Sequence, residues 1–290
     1  CHALEDGHGV LVAAPTGAGK TVVGEFAAYF ALKNGKKCFY TTPIKALSNQ
    51  KFQEFVARFG EDRVGLLTGD TNINSEADIL VMTTEVLRNM IYANSNNLIS
   101  LGFVVMDEVH YLADRFRGAV WEEVILHLPK DVKIVSLSAT VSNAEEFGAW
   151  LDEVRGDTKV IVSEHRPVPL TQHVLFGSEL MNLFEESQGS VRVNPELAQK
   201  HAQKLRQPVN RSGRGRSGYG GGQRNQALIQ KLSKPDIVEV LDENDMLPAI
   251  FFIFSRAGCE AAVKACQHSS VRLTTTEEKQ EIRRVAEEKC

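Results

Sequence analysis

The sequence predicts an α/β fold in which a mostly parallel sheet carries helices on both faces. Short apolar runs rich in β-branched residues alternate along the chain with segments whose apolar residues recur at helical spacing. Such alternation favours right-handed crossovers, which leave successive strands parallel. Polar clusters directly follow several of the apolar runs. Since ligands of these sheets bind at the carboxyl ends of the strands, the clusters mark the candidate site.

The predicted elements follow one another with short connections up to about residue 170. Apolar runs predict strands at 10–14, 37–42, 64–67, 79–83, 103–106, 134–137 and 160–163. Helical spacing predicts helices at 21–32, 52–59, 84–90 and 143–151, the last of which a capping box opens. Beyond 172 the pattern decays, leaving strands at 173–176 and 249–254, a helix after the latter, and a charged amphipathic helix at 274–290.

Composition limits the class of protein. The chain has 290 residues, of which 43% are hydrophobic, and a formal net charge of −4. This length accommodates one α/β domain and part of another, and the charge confines any nucleic-acid surface to local patches. Five cysteines without Cys-x-x-Cys spacing favour a reducing, cytoplasmic setting and no zinc site. We find no signal peptide or membrane-spanning run, and the start at Cys1 indicates a fragment.

The connection between the first predicted strand and helix has the pattern of a phosphate-binding loop. Glycines let the backbone turn its N–H groups toward an anion, and the helix start adds partial positive charge. Lys20 is expected to reach the outer phosphates and Thr21 to ligate magnesium. The alternative is a plain turn between strand and helix, and the pattern departs from the usual one by having Ala14 where glycine is common. The predicted nucleotide-binding residues are Ala14, Pro15, Thr16, Gly17, Ala18, Gly19, Lys20 and Thr21.

Two carboxylates directly follow the predicted strand at 103–106. Asp107 is expected to hold magnesium, and Glu108 to orient and activate the attacking water. The alternative is an acidic surface loop. His110 is a weaker candidate for catalysis, because a single loop histidine is more often a hydrogen-bonded structural residue.

A basic segment at about 206–226 interrupts the second half of the chain. Between Gln199 and Pro235 the sequence has no acidic residue and many basic ones, and its glycine-rich composition cannot bury enough apolar surface to become ordered. One interpretation is a flexible, solvated insert. The other is an accessory nucleic-acid contact, in which arginines meet phosphates and Tyr219 stacks on a base.

Four segments in order carry a family resemblance: 14–21, Thr-Thr-Pro-Ile-Lys-Ala-Leu-Ser-Asn-Gln at 41–50, Asp-Glu-Val-His at 107–110 and Ser-Ala-Thr at 138–140. This series resembles superfamily 2 helicases. Segments 117–123, 143–146 with Trp150, and 166–170 are similar to the Ski2-like, DEVH-box branch. The resemblance is strong over 1–170 and moderate over 247–266.

The resemblance implies a domain organisation and a function. It implies a RecA-like P-loop NTPase domain at 1–171, a linker or insert at 172–246, and the start of a second RecA-like domain at 247–290. It implies ATP and Mg²⁺ as cofactors and a monomeric motor that moves 3′ to 5′ on single-stranded nucleic acid, RNA in preference to DNA, with RNA-decay proteins as partners. The same motor acting on DNA and a non-catalytic docking module remain the alternatives.

The resemblance also assigns roles to residues. Lys20, Asp107, Glu108 and His110 would be catalytic, and Ser138, Ala139 and Thr140 would couple hydrolysis to strand movement. The family's adenine-binding glutamine and arginine fingers have no counterpart between Cys1 and Cys290, so weak nucleotide binding and poor hydrolysis are expected. The positions that would contact the sugar-phosphate backbone are Thr42, Pro43, Lys45, Asn49, Gln50, Thr68, Gly69, Asp70, Thr83, Thr84 and Glu85.

Overall fold

A computed structural model describes residues 1–115, 118–139, 144–187, 190–206 and 232–289 of the chain. The chain divides into two units, Cys1–Pro169 and Leu170–Cys290. One large sheet forms the centre of the first unit, whereas the second contains two hairpins and four helices in its described part. Within these ranges, every helix is too short or too polar to cross a lipid bilayer.

The sheet of the first unit has eight strands. They are β1 (Gly9–Ala13), β2 (Lys37–Thr42), β3 (Val64–Leu67), β4 (Asn72–Ile73), β5 (Ile79–Thr83), β6 (Leu101–Met106), β7 (Lys133–Ser138) and β8 (Thr158–Val162). Their order across the sheet is β4-β3-β5-β2-β6-β7-β1-β8. Every neighbouring pair is parallel except β3 with β4. The predicted α/β fold with a mostly parallel sheet is therefore confirmed.

Helices cover both faces of this sheet. They are α1 (His2–Glu5), α2 (Lys20–Lys33), α3 (Lys45–Phe59), α4 (Thr84–Tyr92), α5 (Gly118–His127) and α6 (Ala144–Arg155). Alternate strand residues point to opposite faces: Phe39 packs in a core with Trp121 of α5 and Leu151 of α6, whereas Tyr40 packs in a second core with Ala27 of α2 and Phe55 of α3. Burial on both faces explains why the residues of the central strands are mostly apolar.

The predicted strands of this unit are observed within about two residues of the expected bounds. Three elements were not predicted: α1, α5 and β4, an exposed two-residue strand at the sheet edge. The helix predicted at 52–59 is observed as α3, which begins seven residues earlier. Asn143, the expected cap of α6, lies outside the described residues. The carboxyl ends of β1, β2, β5, β6 and β7 all meet at one edge of the sheet, as parallel strands require.

The second unit contains shorter elements. Two antiparallel hairpins pair β9 (His173–Phe176) with β10 (Glu179–Asn182) and β11 (Phe184–Ser187) with β12 (Ser190–Val193). The helices are α7 (Pro195–Arg206), α8 (Lys234–Glu243), α9 (Arg256–Gln267) and α10 (Thr276–Lys289). Residues 207–226 of the predicted basic segment lie outside the described residues.

The strand predicted at 249–254 is wrong. The segment has no strand assignment, and the side chains of Ile250 and Phe252 are exposed. A strand needs a neighbour that accepts and donates backbone hydrogen bonds, and the described strands of this unit pair only among themselves. The helix expected after it is observed as α9, whose first turn is capped by Ser255.

Candidate functional site

The predicted phosphate-binding loop joins the end of β1 to the start of α2. The backbone N–H of Ala14 donates to the Ser138 carbonyl at 3.1 Å, which anchors the loop to the end of β7. Gly17 and Gly19 have φ angles of 85° and 83°, in the left-handed region that favours glycine. The Lys20 ammonium donates to the carbonyl of Ala14 at 2.7 Å and to that of Pro15 at 3.0 Å.

This geometry suits an anion. The first turn of α2 has N–H groups without intrahelical acceptors, and the helix dipole places positive charge at the same point. Thr16, Gly17 and Gly19 are exposed, and Ala18 is half-buried, so the loop is open to a ligand. Thr21, in the first turn of α2, is half-buried and adds a hydroxyl oxygen. The loop can therefore hold phosphate groups, with the hydroxyl available to a metal ion.

The two predicted carboxylates follow β6 at the same edge of the sheet. The Asp107 N–H donates to the Thr41 carbonyl at 2.9 Å, which extends the pairing of β6 with β2 by one residue. Glu108 adopts the left-handed region with a φ of 55° and precedes a 3-10 helix. A left-handed non-glycine residue is costly, and such residues concentrate at functional sites. One carboxylate and one hydroxyl, from Asp107 and Thr21, are oxygen ligands of the kind that Mg²⁺ uses together with phosphates.

Tyr40 belongs to this site and was not predicted. Its hydroxyl donates to Oδ2 of Asp107 at 2.7 Å. Burial, and then the neighbouring Asp107 carboxylate, raise the pKa of Tyr40 well above its usual value, so the phenol remains a donor. The pairing of β2 with β6, which brings the two residues together, has no local signal in the sequence.

His110 and Ser138 carry buried polar atoms without hydrogen bonds to the described residues. The Nδ1 atom of His110 lies 3.3 Å from Oε2 of Glu108, within ion-pair distance if the imidazole is protonated. Ser138 ends β7, and Ala139 follows it half-buried, while Thr140 lies outside the described residues. The predicted coupling segment is thus described only in part.

A groove of about 460 Å³ adjoins the ends of β2 and β5. Five of the residues predicted to contact a nucleic-acid backbone line it, namely Pro43, Lys45, Gly69, Thr83 and Glu85. Ile44, Val86 and Asn89 also line the groove and were not predicted. The sequence indicated these three residues only by their closeness to residues that were predicted to contact a nucleic acid. Loops from two strand ends and the start of α4 thus form one concave surface.

Other residues of the predicted set shape this groove from inside. Thr42 and Thr84 are buried, and the Thr42 hydroxyl lies 2.7 Å from the Ser48 hydroxyl and donates to the Ile44 carbonyl at 3.0 Å. The Thr84 hydroxyl donates to the Thr42 carbonyl at 3.5 Å. Both hydroxyl protons are therefore engaged within the protein, and these two side chains have no hydroxyl proton left to donate to a phosphate.

Two members of the set on α3, Asn49 and Gln50, differ from these threonines. Asn49 and Gln50 are exposed on α3, and the Gln50 amide donates to Glu54 at 2.9 Å. Their side chains are therefore accessible from solvent.

Lys45 and Asp70 form an ion pair at the groove, with 2.9 Å between Nζ and Oδ1. The Thr68 hydroxyl donates to the same oxygen at 2.9 Å. The hydrogen bond from Lys45 is the main cause that holds the pKa of Asp70 below its usual value, and the hydrogen bond from Thr68 contributes further. The carboxylate therefore stays ionised and opposes the positive charge that Lys45 brings to the groove.

Comparison with known proteins gives the family. Residues 1–147 match the DEAD/DEAH box helicase family. The chain is 57% identical over 296 residues to "Probable helicase HelY" of Mycobacterium leprae, aligning along 100% of this chain and 32% of that protein.

Two eukaryotic relatives are more distant. DExH-box ATP-dependent RNA helicase DExH15 chloroplastic of Arabidopsis thaliana is 40% identical over 89% of the chain and 24% of its own length. Superkiller complex protein 2 of Mus musculus is 41% identical over 96% of the chain and 22% of its own length. The chain spans about a third or less of these relatives. Since the family match covers half of the 290 residues, the chain belongs to the DEAD/DEAH box helicase family, with Ski2-like relatives.

Proposed function

We propose that this chain forms the nucleotide-binding and strand-contacting part of an ATP-dependent helicase. The observation that carries the proposal is that one edge of one sheet carries the loop after β1, Asp107 after β6 and the groove at the ends of β2 and β5. The loop and Asp107 would form a nucleotide site, and the groove would form a surface for a strand. Because β2 lies directly between β5 and β6, the two sites share a strand.

The residues would divide the chemistry among them. Lys20 and the N–H groups of the loop would bind the phosphates, and Thr21 with Asp107 would hold Mg²⁺, which neutralises charge that develops on the transferred phosphoryl group. Glu108 would orient the attacking water and accept its proton. The 3.3 Å approach of its carboxylate to His110 Nδ1 gives that proton an adjacent basic group.

We propose RNA as the substrate and RNA-decay proteins as partners. One relative is named as an ATP-dependent RNA helicase, which supports RNA as the substrate, and another is named as a superkiller complex protein, which supports work with protein partners. Most groove-lining residues are not charged, and the single ammonium among them is paired with Asp70. Such a surface fits a backbone contact without base reading.

Two variants of the full-length protein that contains this chain test the catalytic proposal. Lys20→Ala should weaken nucleotide binding about 10- to 100-fold, since hydrogen bonds to charged groups are worth about 1.5–3 kcal/mol. Glu108→Gln should keep binding and lower ATP turnover about 10²- to 10⁴-fold. The matched control is Lys33→Ala, which removes an exposed ammonium from the other end of α2.

Binding of a fluorescent ATP analogue and displacement of a labelled strand are the two measurements. If Lys20→Ala and Glu108→Gln both leave strand displacement intact, the chain is a docking module and the motor proposal fails. Competition between RNA and DNA duplexes with matched overhangs then identifies the substrate, because contacts to the 2′-hydroxyl separate them. Equal or stronger competition by DNA would contradict the RNA proposal.

A further inference from the structure

Tyr40 connects the Asp107 carboxylate to two helices. The tyrosine side chain is fully buried, and its hydroxyl donates to Oδ2 of Asp107 at 2.7 Å. The other carboxylate oxygen, Oδ1, accepts the backbone N–H of Glu108 at 2.9 Å. Each oxygen therefore has one fixed donor, and together the two donors define the orientation of the carboxylate.

Three neighbours hold the Tyr40 ring. On α2, Gly24 lies so close that a Cβ atom there would be 2.8 Å from Cε2 of the ring. On α3, the Phe55 ring meets it edge-on with 5.1 Å between centroids, and the Lys51 ammonium lies 5.7 Å from its centroid. Since α2 begins at the phosphate-binding loop and α3 at the groove, a displacement of either helix acts on this ring.

The Lys51 ammonium is itself fixed. It donates to Glu54, one turn further along α3, at 2.5 Å, and only 8% of the lysine is exposed. A buried ammonium that is paired on one side and packed over an aromatic ring on the other has little freedom to move. The contact between α3 and Tyr40 is therefore specific rather than a loose apolar one.

We propose that Tyr40 is a positioning residue for Asp107, holding the carboxylate in the orientation that a Mg²⁺–nucleotide complex requires and joining it to the groove through α3. The inference rests on the function proposed above. Hydrogen-bonded partners of metal-binding carboxylates typically change metal affinity about 10- to 100-fold when they are removed. The phenol hydroxyl is such a partner. The Tyr40 ring also contacts α2 and α3, so the hydroxyl is attached to both helices, whereas a water molecule in its place would not be.

Tyr40→Phe tests this inference, because it removes one oxygen and keeps the ring. Binding of a fluorescent ATP analogue is measured during titration with Mg²⁺ and, separately, in the presence of EDTA. We expect the Mg²⁺ concentration at half-saturation to rise about tenfold, with the affinity in EDTA unchanged. A merely structural role would weaken both to the same extent. Tyr29→Phe is the matched control, since it removes the same atom from an exposed tyrosine on α2.

The outcomes separate this inference from the proposed function. If Tyr40→Phe leaves the Mg²⁺ titration unchanged while Lys20→Ala weakens nucleotide binding, the positioning role is overturned and the nucleotide site stands. If the unaltered full-length protein that contains this chain binds no nucleotide, both fail. Should the Tyr40 variant not fold, the hydroxyl proton of Tyr40 can be followed by NMR in the unaltered chain. Its resonance should shift when Mg²⁺ joins the bound nucleotide, and an unchanged resonance overturns the inference.

Discussion

The ion pair between Lys45 and Asp70 offers a test in which two interpretations predict opposite signs. The family resemblance assigns Asp70 a contact with the nucleic-acid backbone, in which case Asp70→Asn should weaken strand binding. In the structure the carboxylate instead pairs with Lys45, 2.9 Å away, and an ionised carboxylate repels phosphate. We therefore expect Asp70→Asn to strengthen single-strand binding, because it releases the ammonium and removes a negative charge from the groove.

The size of the effect follows from the number of charges released. One ammonium freed from its pair can neutralise one further phosphate. For a single strand this makes the negative slope of log affinity against log salt steeper by about 0.7. Over a fourfold rise in salt, the variant should lose about 2.6-fold more affinity than the unaltered protein. The lowered pKa of Asp70 means that the ion pair persists through neutral pH and is lost only as pH falls through that pKa.

Fluorescence anisotropy of a labelled oligonucleotide, repeated across the salt range, measures both affinity and slope. Asp62→Asn is the matched control, since it makes the same charge change at an exposed residue that does not line the groove. In a Lys45→Ala background, Asp70→Asn should no longer steepen the slope, because no ammonium remains to be released. Weaker strand binding by Asp70→Asn, or a slope equal to that of the unaltered protein, would contradict this prediction.

Two further predictions concern stability. Gly24→Ala should lower the free energy of unfolding in urea by about 1 kcal/mol, because overpacking of the Tyr40 ring costs about 1–3 kcal/mol and alanine returns about 1 kcal/mol of helix propensity; a more stable variant would contradict this. Arg155→Ala should cost about 2 kcal/mol in thermal unfolding, because its guanidinium donates to the carbonyls of residues 125, 128, 129 and 132 where α5 leads into β7. An unchanged melting temperature would count against that role.

The parts of the fold that the sequence predicted are those whose physical cause is local. Strands buried on both faces are mostly apolar, so β1, β2, β5, β6 and β7 could be placed from their apolar runs. The turn between β1 and α2 was predicted as well, because the left-handed backbone of Gly17 and Gly19 is local to a few residues. The two-residue β4 escaped prediction, since Asn72 and Ile73 are exposed and have no alternation to detect.

The second unit shows the opposite case. The hairpin strands of this unit are four residues long, and only β9 was predicted, with its observed bounds. β10, β11 and β12 were not predicted, and β12 is exposed along its whole length, so no apolar period marks it. The best local clue was Gly177 in the two-residue connection between β9 and β10, where its φ of 68° suits a hairpin turn. Residues 249–254 had the strongest strand composition of this region and form no strand. A high β-propensity means that the side chains suit a pleated sheet, but a segment forms a strand only when it pairs with a neighbouring strand.

The link between the nucleotide site and the groove depends on strand order, which the sequence does not state. Along the chain β2 is followed by β3, yet in the sheet its neighbours are β5 and β6. The register that pairs Thr41 with Met106 brings the Tyr40 hydroxyl to Asp107, 67 residues away. The same strand leads into the groove through Pro43 and Lys45. Because β2 borders both proposed sites, a shift of this strand would reach both, and the Tyr40 hydroxyl is its contact with the Asp107 carboxylate.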